Sequence, residues 1–68
     1  MKFKGTLNLE WKDGSECFAE VSVEGEPHEA TGILMWICRG TLMASGAESS
    51  TMWNEDGFEI CKYCKSQV

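Results

Sequence analysis

The residues best equipped for chemistry are four cysteines, Cys17, Cys38, Cys61 and Cys64, and one histidine, His28. Two of the thiols form a C-x-x-C, Cys61-Lys62-Tyr63-Cys64, within the closing stretch "GFEICKYCKSQV". A zinc knuckle needs two thiolates on one side of a tight turn, and structural zinc takes four ligands. Here the remaining two would have to come from the isolated Cys17 and Cys38 or from His28. The glycine that often follows the second cysteine of a knuckle is replaced by Lys65. If residues 58 to 64 form a strand, Cys61 and Cys64 point to opposite faces and cannot chelate together. The expectation is therefore no metal and no cofactor, with buried thiols acting as small hydrophobes. The alternative is a zinc-stapled structural or adaptor domain with Cys17, Cys38, Cys61 and Cys64 as ligands.

A redox role is disfavoured, because a thioredoxin-like C-x-x-C opens a helix whose dipole lowers the thiol pKa. Only three residues follow Lys65, too few for a helix. His28 lies between Pro27 and Glu29 with no readable nucleophile or orienting partner, as a general base would require. It reads as an exposed histidine at a helix start. No phosphate-binding glycine loop and no G-x-S-x-G elbow is present. The expected class is not an enzyme.

The elements that must carry these residues follow from periodicity. "KFKGTLNLEW" places Phe3, Leu7, Leu9 and Trp11 on one face and Lys2, Lys4, Thr6, Asn8 and Glu10 on the other, the period of a half-buried strand. "ECFAEVSVEG" sets Cys17, Ala19, Val21 and Val23 against Glu16, Glu20, Ser22 and Glu24, with Phe18 out of place on the polar face. The intervening "KDGS" is a turn signal. A two-residue loop would oppose Glu10 to Cys17, mixing the faces. A three-residue loop, Asp13-Gly14-Ser15, opposes Trp11 to Cys17, Leu9 to Ala19 and Leu7 to Val21. It also pairs Lys12 with Glu16 and Lys4 with Glu24, leaving Glu20 opposite Asn8.

From Pro27 to Gly46 the pattern predicts a helix. Pro27 suits its first turn, and Glu26 and Glu29 suit its positive end. Ala30, Ile33, Leu34, Ile37, Cys38 and Thr41 form its apolar stripe. Gly32 and Gly40 count against the helix, and "ILMWIC" would also serve as a buried strand, but the length favours the helix. A second hairpin turns at Asn54-Glu55-Asp56-Gly57, with Met52 and Trp53 leading in and Phe58 and Ile60 leading out. The layout is one domain, 1–68, of α+β class: β-β-α-β-β, a small antiparallel sheet with one helix packed on one face.

Bulk properties restrict the partners. A chain of 68 residues buries only about 60% of its unfolded surface, so its core is small. Eleven acidic and six basic residues give a net charge of −5, which repels phosphate backbones and argues against direct nucleic-acid binding. No apolar run approaches a membrane span. The start lacks a signal peptide's apolar region, so a cytoplasmic location with reduced thiols is expected. An acidic surface suits a basic protein or ribonucleoprotein. The candidate partner-binding residues are Glu20, Glu24, Glu26 and Glu29 as a negative run, Phe18 as an apolar anchor on the same outer face, and Trp53.

The format, seen in "LNLEWKDGSECFAEVSVEGEPHEA", resembles the small acidic proteins that phages and mobile elements encode against host machinery, anti-CRISPR proteins among them. The resemblance lies in size, charge and the sheet-plus-helix plan, and carries no site residues with it. It implies a stoichiometric inhibitor in the host cytoplasm that occupies a basic groove on a host complex where nucleic acid would otherwise lie.

Overall fold

The computed structural model describes residues 1–65; the stretch after Lys65, where no helix was expected, lies outside the described residues. The chain forms β1 (Lys2–Glu10), β2 (Glu16–Glu24), α1 (Pro27–Ser45), β3 (Ser49–Asn54) and β4 (Glu59–Cys64). The four strands make one sheet in the order β2-β1-β3-β4, every neighbouring pair antiparallel. This is the expected β-β-α-β-β plan, with α1 laid across one face.

The helix begins as its sequence dictates. Pro27 occupies the first turn, Glu26 stands at the cap position without a side-chain hydrogen bond, and Glu29 lies in the first turn. Gly46 ends the helix in the left-handed conformation at φ 76°, where a side chain would be strained. Ala30, Leu34, Cys38 and Leu42 are buried. They join Leu7, Leu9, Ala47 and Met52 in the core, with Trp11, Val21, Val23, Ile37 and Ile60 packed around it. Ile33 departs from its expected place on the apolar stripe and is exposed. Burial recurs every four residues from Ala30 to Leu42, which turns Ile33 off the edge of the stripe.

The first hairpin keeps its faces but not its register. Leu9 opposes Cys17, Leu7 opposes Ala19 and Gly5 opposes Val21, two residues away from the expected Trp11–Cys17 alignment. Because the shift is even, every side chain stays on its expected face while every partner changes. Lys2 rather than Lys4 opposes Glu24, Glu20 opposes Thr6, and Glu10 rather than Lys12 opposes Glu16. The turn explains the difference. It spans Trp11–Ser15, closed by Trp11 N–H donating to the Ser15 carbonyl (2.9 Å) and Gly14 N–H donating to the Trp11 carbonyl (3.0 Å). Asp13 Oδ1 accepts from the Ser15 N–H at 2.9 Å and from its hydroxyl, and these bonds hold the Asp13 carboxyl below its ordinary pKa. Exposed ion pairs, worth about 0.2–1 kcal/mol each, do not outweigh that local chemistry.

One further expectation fails on β2. Cys17 and Ala19 lie on the helix side of the sheet yet are exposed, while Val21 and Val23 are half-buried. The helix starts immediately after β2 ends and covers that strand only at its Val21–Val23 end.

Candidate interaction face

The helix covers one face of the sheet, and among the described residues no element covers the other. Opposed residues in antiparallel strands share a face, so the registers define rows across the open side. One row is Phe18, Asn8, Thr51 and Lys62; the next is Glu20, Thr6, Trp53 and Glu59. Phe18 is 62% exposed and Trp53 is half-buried. The two aromatic residues stand in adjacent rows on either side of β1. Between them, Asn8 and Thr51 are only 3% and 5% exposed. Asn8 Nδ2 donates to the Cys17 carbonyl (3.3 Å) and to Glu16 Oε2 (3.4 Å). Sequence periodicity placed Asn8 on a polar, solvated face; its central position in the sheet buries it.

Along the outer edge of this face, β2 carries Glu16, Glu20 and Glu24 at every fourth position, all exposed. β2 is an edge strand of nine residues, and charges on such an edge discourage self-association through strand pairing. The expected negative run divides at the end of this strand. Glu20 and Glu24 belong to the open sheet face, whereas Glu26 and Glu29 sit at the start of α1 in the other layer. The structure thus sets Phe18, Glu20 and Trp53 in adjacent rows, places Glu24 on the same face at the far end of β2 opposite Lys2, and sets Glu26 and Glu29 apart from them.

Of the four cysteines only Cys38 and Cys61 meet, under the helix; Cys17 and Cys64 lie apart from them and from each other. Cys61 opposes Met52 on the helix side of β4, and Cys64 opposes Ser49 on the open side. Cys17 is on the far edge strand and Cys38 is buried in α1. Among the described residues no three His, Cys, Asp or Glu side chains form a metal-holding group: of the alternative zinc set Cys17, Cys38, Cys61 and Cys64, only Cys38 and Cys61 are brought together. Cys38 has a structural partner instead. The hydroxyl of fully buried Ser50 donates to the Cys38 carbonyl at 3.1 Å, leaving the Cys38 thiol, 3.2 Å away, to donate to Ser50 Oγ. The Cys61 thiol is pushed up to about 12, first by burial and then by the adjacent Cys38. A thiol held so firmly protonated is a poor nucleophile.

His28 is exposed at the helix start, 3.9 Å from the Glu29 carboxylate. A concavity of about 380 Å³ lies between the start of α1 and the β3–β4 turn and is lined by Phe3, Pro27, Leu34, Glu55 and Ile60 among others. It holds none of the cysteines and not His28. A further exposed surface is the solvent side of α1, where Trp36 and Met43 are 74% and 69% exposed; of the two, only Trp36 stands out in the sequence as a partly exposed aromatic. Their helical spacing was the available signal. No helix among the described residues is long and apolar enough to cross a membrane. With this geometry in view, neither a family model, nor a curated protein, nor a solved structure matches the chain.

Proposed function

We propose that this chain is a non-catalytic protein-binding module whose open sheet face docks on a basic partner. The observation that carries the reading is the placement of Phe18 and Trp53 in adjacent rows of one uncovered face, beside the carboxylates of β2. Aromatic anchors with a charged rim are the usual composition of a binding surface. The carboxylates steer a lysine- and arginine-lined groove toward the face and make association sensitive to salt. Phe18 supplies the contact area that leaves water on docking. Where that groove normally holds nucleic acid, the bound module excludes it, and the protein acts as a stoichiometric inhibitor of a host complex in the manner of the anti-CRISPR proteins that its format resembles.

The test is titration of isotopically labelled protein with a lysine-rich peptide, followed residue by residue by NMR. Shifts concentrated at Phe18, Glu20, Glu24 and Trp53, and lost in a Phe18→Ser/Glu20→Lys variant, support the reading. Shifts spread evenly over all acidic residues, unchanged in that variant, refute it. The same variant should lose whatever basic protein the wild type captures from a bacterial lysate.

A further inference from the structure

Helix α1 has a second apolar side, turned away from the core. Glu29, Gly32, Trp36, Arg39 and Met43 recur at spacings of three and four residues, so they form a single seam along the solvent side of the helix. Trp36 and Met43 are strongly exposed, and Ile33 and Met35 flank them, partly exposed. A soluble helix ordinarily presents charges there. This one presents a tryptophan and two methionines.

Gly32 is the informative member. Glycine is disfavoured in a helix interior, so a position that keeps it usually needs the space. Yet beyond its chain neighbours and the backbone of its own helix, a Cβ on Gly32 would meet nothing within 4 Å among the described residues, and no positive φ demands a glycine there. Beside it opens a groove of about 240 Å³ lined by Gly32, Met35, Trp36, Arg39 and Tyr63. Gly32 leaves this groove open to an external group.

We propose that the groove receives Trp36 of a second copy of this chain, in a symmetric dimer built on antiparallel α1 helices. Antiparallel pairing about the level of residue 34 sets Gly32 opposite the partner's Trp36 and Trp36 opposite the partner's Gly32. The same register sets Glu29 opposite the partner's Arg39, twice by symmetry. One alignment therefore satisfies both shape and charge: each bulky ring meets a position without a side chain, and the two charges of the seam meet their opposites. The twofold arrangement is isologous and closes on itself. It leaves the open sheet face free, so it does not depend on the proposed function.

Sedimentation velocity over micromolar to millimolar protein concentrations tests this. The wild type should convert reversibly from monomer to dimer; a monomer throughout the range overturns the proposal. Gly32→Leu fills the groove and Trp36→Ala removes its occupant. Both changes are at positions that the monomer's own packing does not use, so circular dichroism should report an intact fold while the dimer is lost. Persistence of the dimer in either folded variant overturns the proposal. Glu29→Arg or Arg39→Glu alone should weaken association roughly tenfold through two opposed like charges. The double swap should restore it to within about threefold. A double variant no tighter than the single ones overturns the register.

Discussion

Gly5 and Met52 meet so closely in the core that a Cβ on the glycine would stand 2.9 Å from the methionine Sδ. The same Cβ would lie 3.2 Å from both Leu34 Cδ2 and the Trp53 carbonyl oxygen. The methionine can rotate aside, but the backbone carbonyl of β3 cannot. Gly5→Ala should therefore destabilise the protein by about 1–3 kcal/mol through overpacking, read as a lower urea midpoint. An unchanged midpoint would show that β1 and β3 are less tightly apposed than described.

Alkaline pH should weaken the fold through Cys61. Its thiol is raised from 9.0 to about 12, so the folded state holds a proton that the unfolded state releases. That contribution is fully present below pH 9 and disappears as pH rises toward about 12. Melting temperatures of wild type and Cys61→Ala, compared across this window, should converge as the pH increases. A gap of constant size would mean that Cys61 titrates normally. In the same protein, exposed Cys17 should react with a thiol reagent well before Cys38 and Cys61 do.

Glu10 and Glu16 face each other at the end of the β1–β2 ladder, and both are exposed. Replacing one repulsive partner, Glu10→Lys, should stabilise the hairpin by about 0.2–1 kcal/mol, with the gain fading at high salt. Under the alternative alignment Glu10 would face Phe18 rather than Glu16, and the substitution would relieve no directly opposed like charge. Thermal melts at two ionic strengths distinguish the registers.

Chelation should leave the melting temperature unchanged, because β4 turns Cys61 and Cys64 to opposite faces. Elemental analysis of protein purified without chelator should find no stoichiometric zinc. One zinc per chain, with unfolding on its removal, would mean that the tail adopts a different structure from the strand described.

The element plan was legible because its signals were local. Alternation fixed which face each β1 and β2 residue occupies, and Pro27 and Gly46 bracketed the helix. The turn motif around Asn54 was equally readable: its side chain accepts from the N–H groups of Asp56 and Phe58, both at 3.0 Å. Register was not legible, since an even slip leaves the face pattern intact and only the hydrogen bonds around Trp11, Asp13 and Ser15 select between alignments. Nor was the depth of burial. Cys17 and Asn8 read as buried and solvated respectively, and their places in the sheet reverse both: an edge strand that the helix barely reaches, and a central strand flanked on both sides. The split of the acidic run at Glu24 was hidden for the same reason, because the chain leaves the sheet there to enter the other layer.

The central position of β1 has a consequence for assembly. Its edge toward β3 joins Gly5 to Asn54 and Glu10 to Ser49, residues some of the most distant that the sheet connects. During synthesis β1 can pair with β2 almost at once, but its other edge stays bare until the chain through Asn54 has left the ribosome. The β1–β2 hairpin and the helix must therefore wait, with Leu7, Leu9 and Leu34 only partly covered, for β3. Closure of that long loop, rather than formation of any single element, is expected to set the pace of folding. Chains truncated before Ser49 should be the form that aggregates.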